Sequence, residues 1–248
     1  MVYIILLVSL ILFYIFGAIA GVNQTKRTLE NEIDENIRVT HFAVVTFAQW
    51  IPIVAIFLVV AFSDITFTDI GFTLPSFRQL NPVMTITIIA GAVLWATFIF
   101  YRIIIFLISP KHRQKCNNLL HEKVMGDDYY DLVYYKLMTP RTKREKRWWL
   151  PLSLSAGVCE EIVFRGVFVF LVASIFPNIS IYLVFIILVG LFGLFHFYQG
   201  VRGFIFTTLA GAFFTLLYIA SGTLIFVIVL HFLVDIAGAF RYSDDSSD

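Results

Sequence analysis

The chain has 248 residues, 59% of them hydrophobic and only 14% charged, with a formal net charge of +1 and a mean hydropathy of +0.86. This composition excludes a soluble domain and reads as an all-α, polytopic membrane helical bundle. The near-neutral balance says little until the charges are placed, no nucleic-acid partner is expected, and two cysteines, Cys116 and Cys159, do not suggest a disulfide framework.

The first apolar run, residues 2–21, lacks a basic leader and has a spanning length, so it is read as a retained transmembrane helix rather than a signal peptide. Further runs follow at 42–63, 84–109, 149–176, 180–199, 201–220 and 222–240, giving about seven helices. Each can cross an apolar layer of about 30 Å at about 1.5 Å per residue. The last four are separated by short connections and should be antiparallel neighbours. The chain divides into helices 1–3 (1–110), a basic loop (111–147), a four-helix core (148–240) and an acidic tail (241–248).

Basic residues set the expected orientation. Lys26, Arg27 and Arg38 lie between helices 1 and 2, ten more lie between Lys111 and Arg147, and Arg202 and Arg241 follow on the same side. Arg78 stands alone on the other. The positive-inside rule then puts the N-terminus outside and the C-terminus in the cytoplasm of a multi-pass cell-membrane protein. Trp148 and Trp149 read as interfacial anchors of helix 4, and residues 129–138 as a segment lying along the membrane surface.

Apart from Arg102, which can snorkel, and Arg202 at the cytoplasmic edge of its run, the ionisable groups inside apolar runs fall in three helices only. They are Glu160, Glu161 and Arg165 in helix 4, His196 in helix 5, and His231 with Asp235 in helix 7. Such groups are costly in hydrocarbon, face a bundle interior or cavity, and mark function. Glu161 and Arg165 are four residues apart on one helical face and can pair; Glu160 points about 100° away from Glu161, free to act as a base. His231 and Asp235 repeat the four-residue spacing, in which a carboxyl group can orient an imidazole. Glu160 lies about 18 Å along helix 4 and His231 about 14 Å along helix 7 from the opposite side, nearly the same level. His196 falls nearer the cytoplasmic face unless helix 5 tilts, or bends near Gly190 and Gly193.

A free glutamate and two histidines in a water-accessible cavity suit hydrolysis by activated water. Glu160 takes a proton from the water and passes it to the leaving amine, while the histidines hold the water and the developing oxyanion. Glu160, His196 and His231 could also hold a metal. Cys159 is a poor nucleophile candidate, because no histidine is placed by sequence to activate it.

The stretches "EEIVFR" (Glu160, Glu161, Arg165), "FGLFH" (Phe192, His196) and "HFLVD" (His231, Asp235) resemble, in order, the three motifs of the CPBP (ABI) family of intramembrane proteases. That family includes the type II CAAX prenyl endopeptidases of the Rce1 type and bacteriocin-processing enzymes. The resemblance covers about residues 140–240. It implies a glutamate-dependent intramembrane endopeptidase, with no cofactor or metal, acting on a membrane-embedded or membrane-associated peptide or protein. It further implies that Glu160 and His196 activate the water, that His231 and Asp235 form the oxyanion pocket, and that Glu161, Arg165 and Phe192 support the site. Asp235 departs from the asparagine of the prenyl-processing members. An ionised aspartate cannot donate to an oxyanion, so Asp235 is either protonated or orients His231. The rival readings are a non-catalytic peptide-binding, immunity or signalling protein using the same cavity, and a proton-coupled transporter.

Overall fold

A computed structural model of the chain describes residues 2–30, 33–77, 80–124 and 136–240. Every one of the seven apolar runs is helical, and the chain is a multi-pass helical membrane protein. Helix α1 covers Val2–Glu30, α2 Glu35–Ala61, α3 Pro82–Ile108 and α4 Pro110–Val124. The half that carries the motifs follows as α5 (Lys143–Glu161), a π-helical segment (Ile162–Val167), α6 (Phe168–Ile175), α7 (Ile181–Phe195), α8 (Gly200–Ser221) and α9 (Leu224–Ile236). Among the described residues, four segments are long and apolar enough to cross a membrane by themselves: Val2–Gln24, Glu35–Ala61, Pro82–Ile108 and Phe197–Ser221. Shorter apolar helices run over Tyr182–Phe195 and Leu224–Phe240. Between α3 and α5 the basic connection is helical over Pro110–Val124. Most of the expected surface segment, residues 129–135, lies outside the described residues, as do Arg78 and the acidic tail.

Helix α5 begins ahead of its apolar run because its first turn is capped. Thr142 accepts from Glu145 N–H through its Oγ1, and Glu145 Oε2 accepts from Thr142 N–H, a reciprocal capping box. The same glutamate is fully buried and takes an ion pair from Arg38 of α2, at 2.7 Å, while Arg38 also donates to the Ile33 carbonyl at 2.7 Å. Arg38 therefore ties α2 to α5 in addition to its place in the charge asymmetry. From this capped end the α5, π and α6 segments run without a break from Lys143 to Ile175 and form the central rod.

The rod packs on α2 and α9, and close approach to α9 requires glycine at position 157. A Cβ there would lie 3.0 Å from Phe232 N and 3.1 Å from the Ile228 carbonyl oxygen, both backbone atoms of α9. Such atoms cannot swing aside. Gly157→Val is therefore expected to lose about 1–3 kcal/mol, read as a lower thermal midpoint of the detergent-solubilised protein, and to loosen every α5–α9 contact described below.

At the end opposite the basic cluster, the segment after α2 closes over the bundle. Leu224 N–H donates to the Gly71 carbonyl (3.1 Å), Ser76 N–H to the Ser221 carbonyl (2.9 Å) and Thr223 Oγ1 to the Thr73 carbonyl (2.7 Å). A Cβ at Gly166 would collide with the Ile70 carbonyl, so the strap lies directly on the π segment. Buried Ile65 and Ile70 join the main apolar core there, with Ile162, Val163, Phe164 and Phe168 of the rod.

Candidate active site

The three motifs converge beside the rod, where α5 passes into the π segment. A π turn carries one more residue than an α turn, and such turns recur at functional sites. Here the Phe168 N–H reaches back to the Val163 carbonyl. Arg165, inside this segment, is 1% exposed and Glu161 is 0% exposed. Burial of both charges is tolerable only because each has partners. Arg165 Nη1 lies 3.1 Å from Glu161 Oε1, and Nη2 donates to the Gly211 carbonyl of α8 at 3.0 Å. The guanidinium also sits 4.4 Å from the centre of the Phe192 ring. Gly211 has to be glycine at this crossing, since a Cβ would lie 2.7 Å from Phe192 Cδ1. It is a small-residue packing site, and its carbonyl anchors the arginine as well.

The same Glu161 Oε1 accepts from His231 Nδ1 at 2.6 Å. A carboxylate oxygen only accepts, so His231 carries its proton at Nδ1. On its other side His231 Nε2 lies 3.6 Å from Asp235 Oδ2, an ion-pair distance too long for a hydrogen bond. Glu161 thus holds the ring of His231 more tightly than Asp235 does. The spacing of His231 and Asp235 suggested the pair, but only the fold reveals the shorter contact, made across seventy residues of chain.

Glu160 faces a different set of groups, as the helical angle between adjacent residues requires. Its Oε1 accepts from Gln49 Nε2 of α2 at 3.3 Å, and its Oε2 lies 3.6 Å from His196 Nε2. Oε2 is buried and has no hydrogen-bond partner. His196 donates from Nδ1 to the Phe192 carbonyl at 2.7 Å, which leaves Nε2 turned toward Glu160. The ring lies 4.5 Å from that of Phe192 and 6.2 Å from that of Tyr198.

Counting along the apolar run separates His196 from the level of Glu160, yet the structure brings the two side chains to 3.6 Å. Helix α7 is only 15 residues long, about 22 Å at helical rise, and stops at Phe195. His196 is its last cap, a 3-10 turn over Phe197–Gln199 follows, and Gly200 at φ +83° starts α8. The positive φ favours glycine at this reversal.

Glu160, His196, His231 and Asp235 all line one cavity of about 120 Å³. Along α5 its wall runs from Trp149 through Ser153 and Ala156 to Glu160, some 16 Å at helical rise. The cavity therefore extends from Glu160 toward the basic end of the bundle, away from the strapped end. The Asp235 side chain is 32% exposed, whereas that of Glu160 is 12%. Trp149, expected as an interfacial anchor, is instead buried against Phe42 and Leu152, and its Nε1 donates to the Asp235 carbonyl at 2.9 Å. Among the described residues, no group of three or more His, Cys, Asp or Glu is arranged to hold a metal ion. Cys159 is buried, and neither cysteine is in a disulfide.

Gln49 is the residue that inspection of ionisable groups overlooks. Its signal is present in the sequence: a single amide amid the apolar residues of "VVTFAQWIPIV".

Residues 145–237 match the family model described as type II CAAX prenyl endopeptidase, Rce1-like. The match takes in α5 to α9 and all three motifs, and over this stretch the chain is similar to that family. Helices α1–α4 lie outside it. No curated protein and no solved structure matches the chain.

Proposed function

We propose that this membrane protein is an intramembrane endopeptidase that hydrolyses a peptide bond of a membrane-associated peptide or protein with water activated by Glu160. The observation that carries the reading is the buried, unpartnered Oε2 of Glu160, 3.6 Å from His196 Nε2 at the head of a cavity. A water shared by these two atoms gives its proton to Glu160 as its oxygen attacks the scissile carbonyl carbon. Glu160 then returns the proton to the leaving amine, so the group is regenerated in each cycle.

His231 suits the oxyanion. As the imidazolium, it gives Nδ1–H to Glu161 and presents Nε2–H to the developing charge, and the Glu161–Arg165–Gly211 chain holds the ring in place. Asp235 balances the imidazolium from the rim of the cavity. Its contact is long and its side chain partly exposed, which makes its contribution small. Asp235→Asn is expected to leave the cleavage rate within about tenfold of wild type, measured as initial rates at matched protein level. A far larger loss would place Asp235 among the reacting groups.

The reading is tested by comparing new peptide termini in membranes of cells that express wild type or Glu160→Gln, with and without a chelator. Termini produced only by wild type and resistant to chelation are expected. Chelator-sensitive termini would assign the water to a metal instead. An identical set of termini from both proteins would favour the peptide-binding reading.

A further inference from the structure

We infer that Gln49, on α2 and outside the Rce1-like stretch, positions the Glu160 carboxylate for the reaction and accepts a hydrogen bond from the bound peptide. The inference rests on the hydrolytic reading of the site.

The geometry around the amide is specific. Glu160 Oε1 is an acceptor, so the Gln49 group facing it at 3.3 Å is the NH2, and this fixes the orientation of the amide. A carboxylate with one oxygen held this way presents the other, Oε2, toward His196. Without that hold, the carboxylate can turn about its last bond, a broad torsion that packing alone constrains poorly. The far oxygen of the amide then requires explanation. Gln49 Oε1 is buried, has no hydrogen-bond partner, and belongs to a residue that lines the cavity. Ser153 Oγ, also buried and unpartnered, lines the same cavity from α5. A buried hydrogen-bonding group left unpaired destabilises the fold. A peptide in the cavity brings backbone N–H groups that remove that cost. Gln49 therefore contributes twice: Nε2 orients the base, and Oε1 takes a substrate N–H.

Helix α2 is able to hold such a group in place. Trp50 Nε1, next in sequence, donates to Ser155 Oγ at 2.9 Å, and the Arg38–Glu145 pair locks the same two helices at their basic end.

The test uses the full chain in detergent with a synthetic peptide spanning a cleavage site found in the termini comparison. Gln49→Met removes both polar atoms at nearly constant volume. Turnover is expected to fall about tenfold or more, because the base is loosened, and KM to rise several-fold, because the acceptor is lost. A double-mutant cycle of Gln49→Met with Glu160→Met, which removes the acceptor, read by thermal midpoint, should be non-additive, as required of directly contacting groups. A structural role predicts less folded protein but unchanged turnover and KM per folded molecule, and that outcome overturns the inference. An additive cycle overturns it as well. If wild type cleaves and Gln49→Met matches it, only the role of Gln49 falls. If wild type does not cleave the peptide, the hydrolytic reading falls and the role goes with it.

Discussion

Replacing Arg165 with leucine is expected to cost about 3–5 kcal/mol, more than the Gly157 substitution that forces α5 and α9 apart. The side chain is almost fully buried and serves three partners at once: Glu161, the Gly211 carbonyl and the face of Phe192. Leucine fills part of the space but leaves Glu161 charged, buried and dependent on His231 alone. Its second oxygen, Oε2, already lacks a hydrogen-bond partner, so nothing in the surroundings is ready to take over. The measurement is the thermal midpoint of purified protein, alongside the fraction that elutes folded. A paired substitution sharpens the argument. Glu161→Gln together with Arg165→Leu removes the stranded charge, and the double variant should recover part of the loss. An equally unstable double variant would assign the cost to packing around Phe192 and Gly211 rather than to the orphaned carboxylate.

The ionisable residues of the site are legible in the sequence because membranes tolerate few of them. Glu160, Glu161, Arg165, His196, His231 and Asp235 each stand out against apolar surroundings, and helical spacing correctly separates the two glutamates. Spacing within one helix also finds the Glu161–Arg165 pair. It cannot find contacts made between helices. The 2.6 Å contact of Glu161 with His231 depends on how closely α5 approaches α9, and that depends on Gly157, whose importance is visible only beside Ile228 and Phe232. The approach of His196 to Glu160 is another contact made between helices, which spacing along one helix does not reveal. Apolar residues continue past Phe195, so hydrophobicity alone carries the helix to residue 199, whereas it ends at Phe195 and a 3-10 turn leads to Gly200. Gln49 escapes notice because it has no charge; Gly211 reads only as a small-residue packing site, because a backbone carbonyl leaves no mark in a sequence.

Glu160→Gln is expected to reduce cleavage by about 10²–10⁴-fold while leaving the fold intact. Glutamine keeps the size and hydrogen-bonding capacity of the side chain but cannot take a proton from water. The buried Oε2 of Glu160 has no hydrogen bond to lose, and glutamine keeps an oxygen for the Gln49 amide, so the thermal midpoint should not fall. His196→Ala is expected to show a comparable kinetic loss, since its Nε2 is the second group facing the same point in the cavity. The decisive quantity is the double variant. Two groups that act together on one water lose their joint effect when either is removed, and the second removal then adds little. The Glu160→Gln/His196→Ala double variant should therefore be about as slow as Glu160→Gln alone. Losses that multiply would mean that the two residues act on separate steps, with His196 serving the substrate rather than the water. The cavity permits either placement, because His196 and His231 both line it, but only the former uses the 3.6 Å approach of Glu160 to His196.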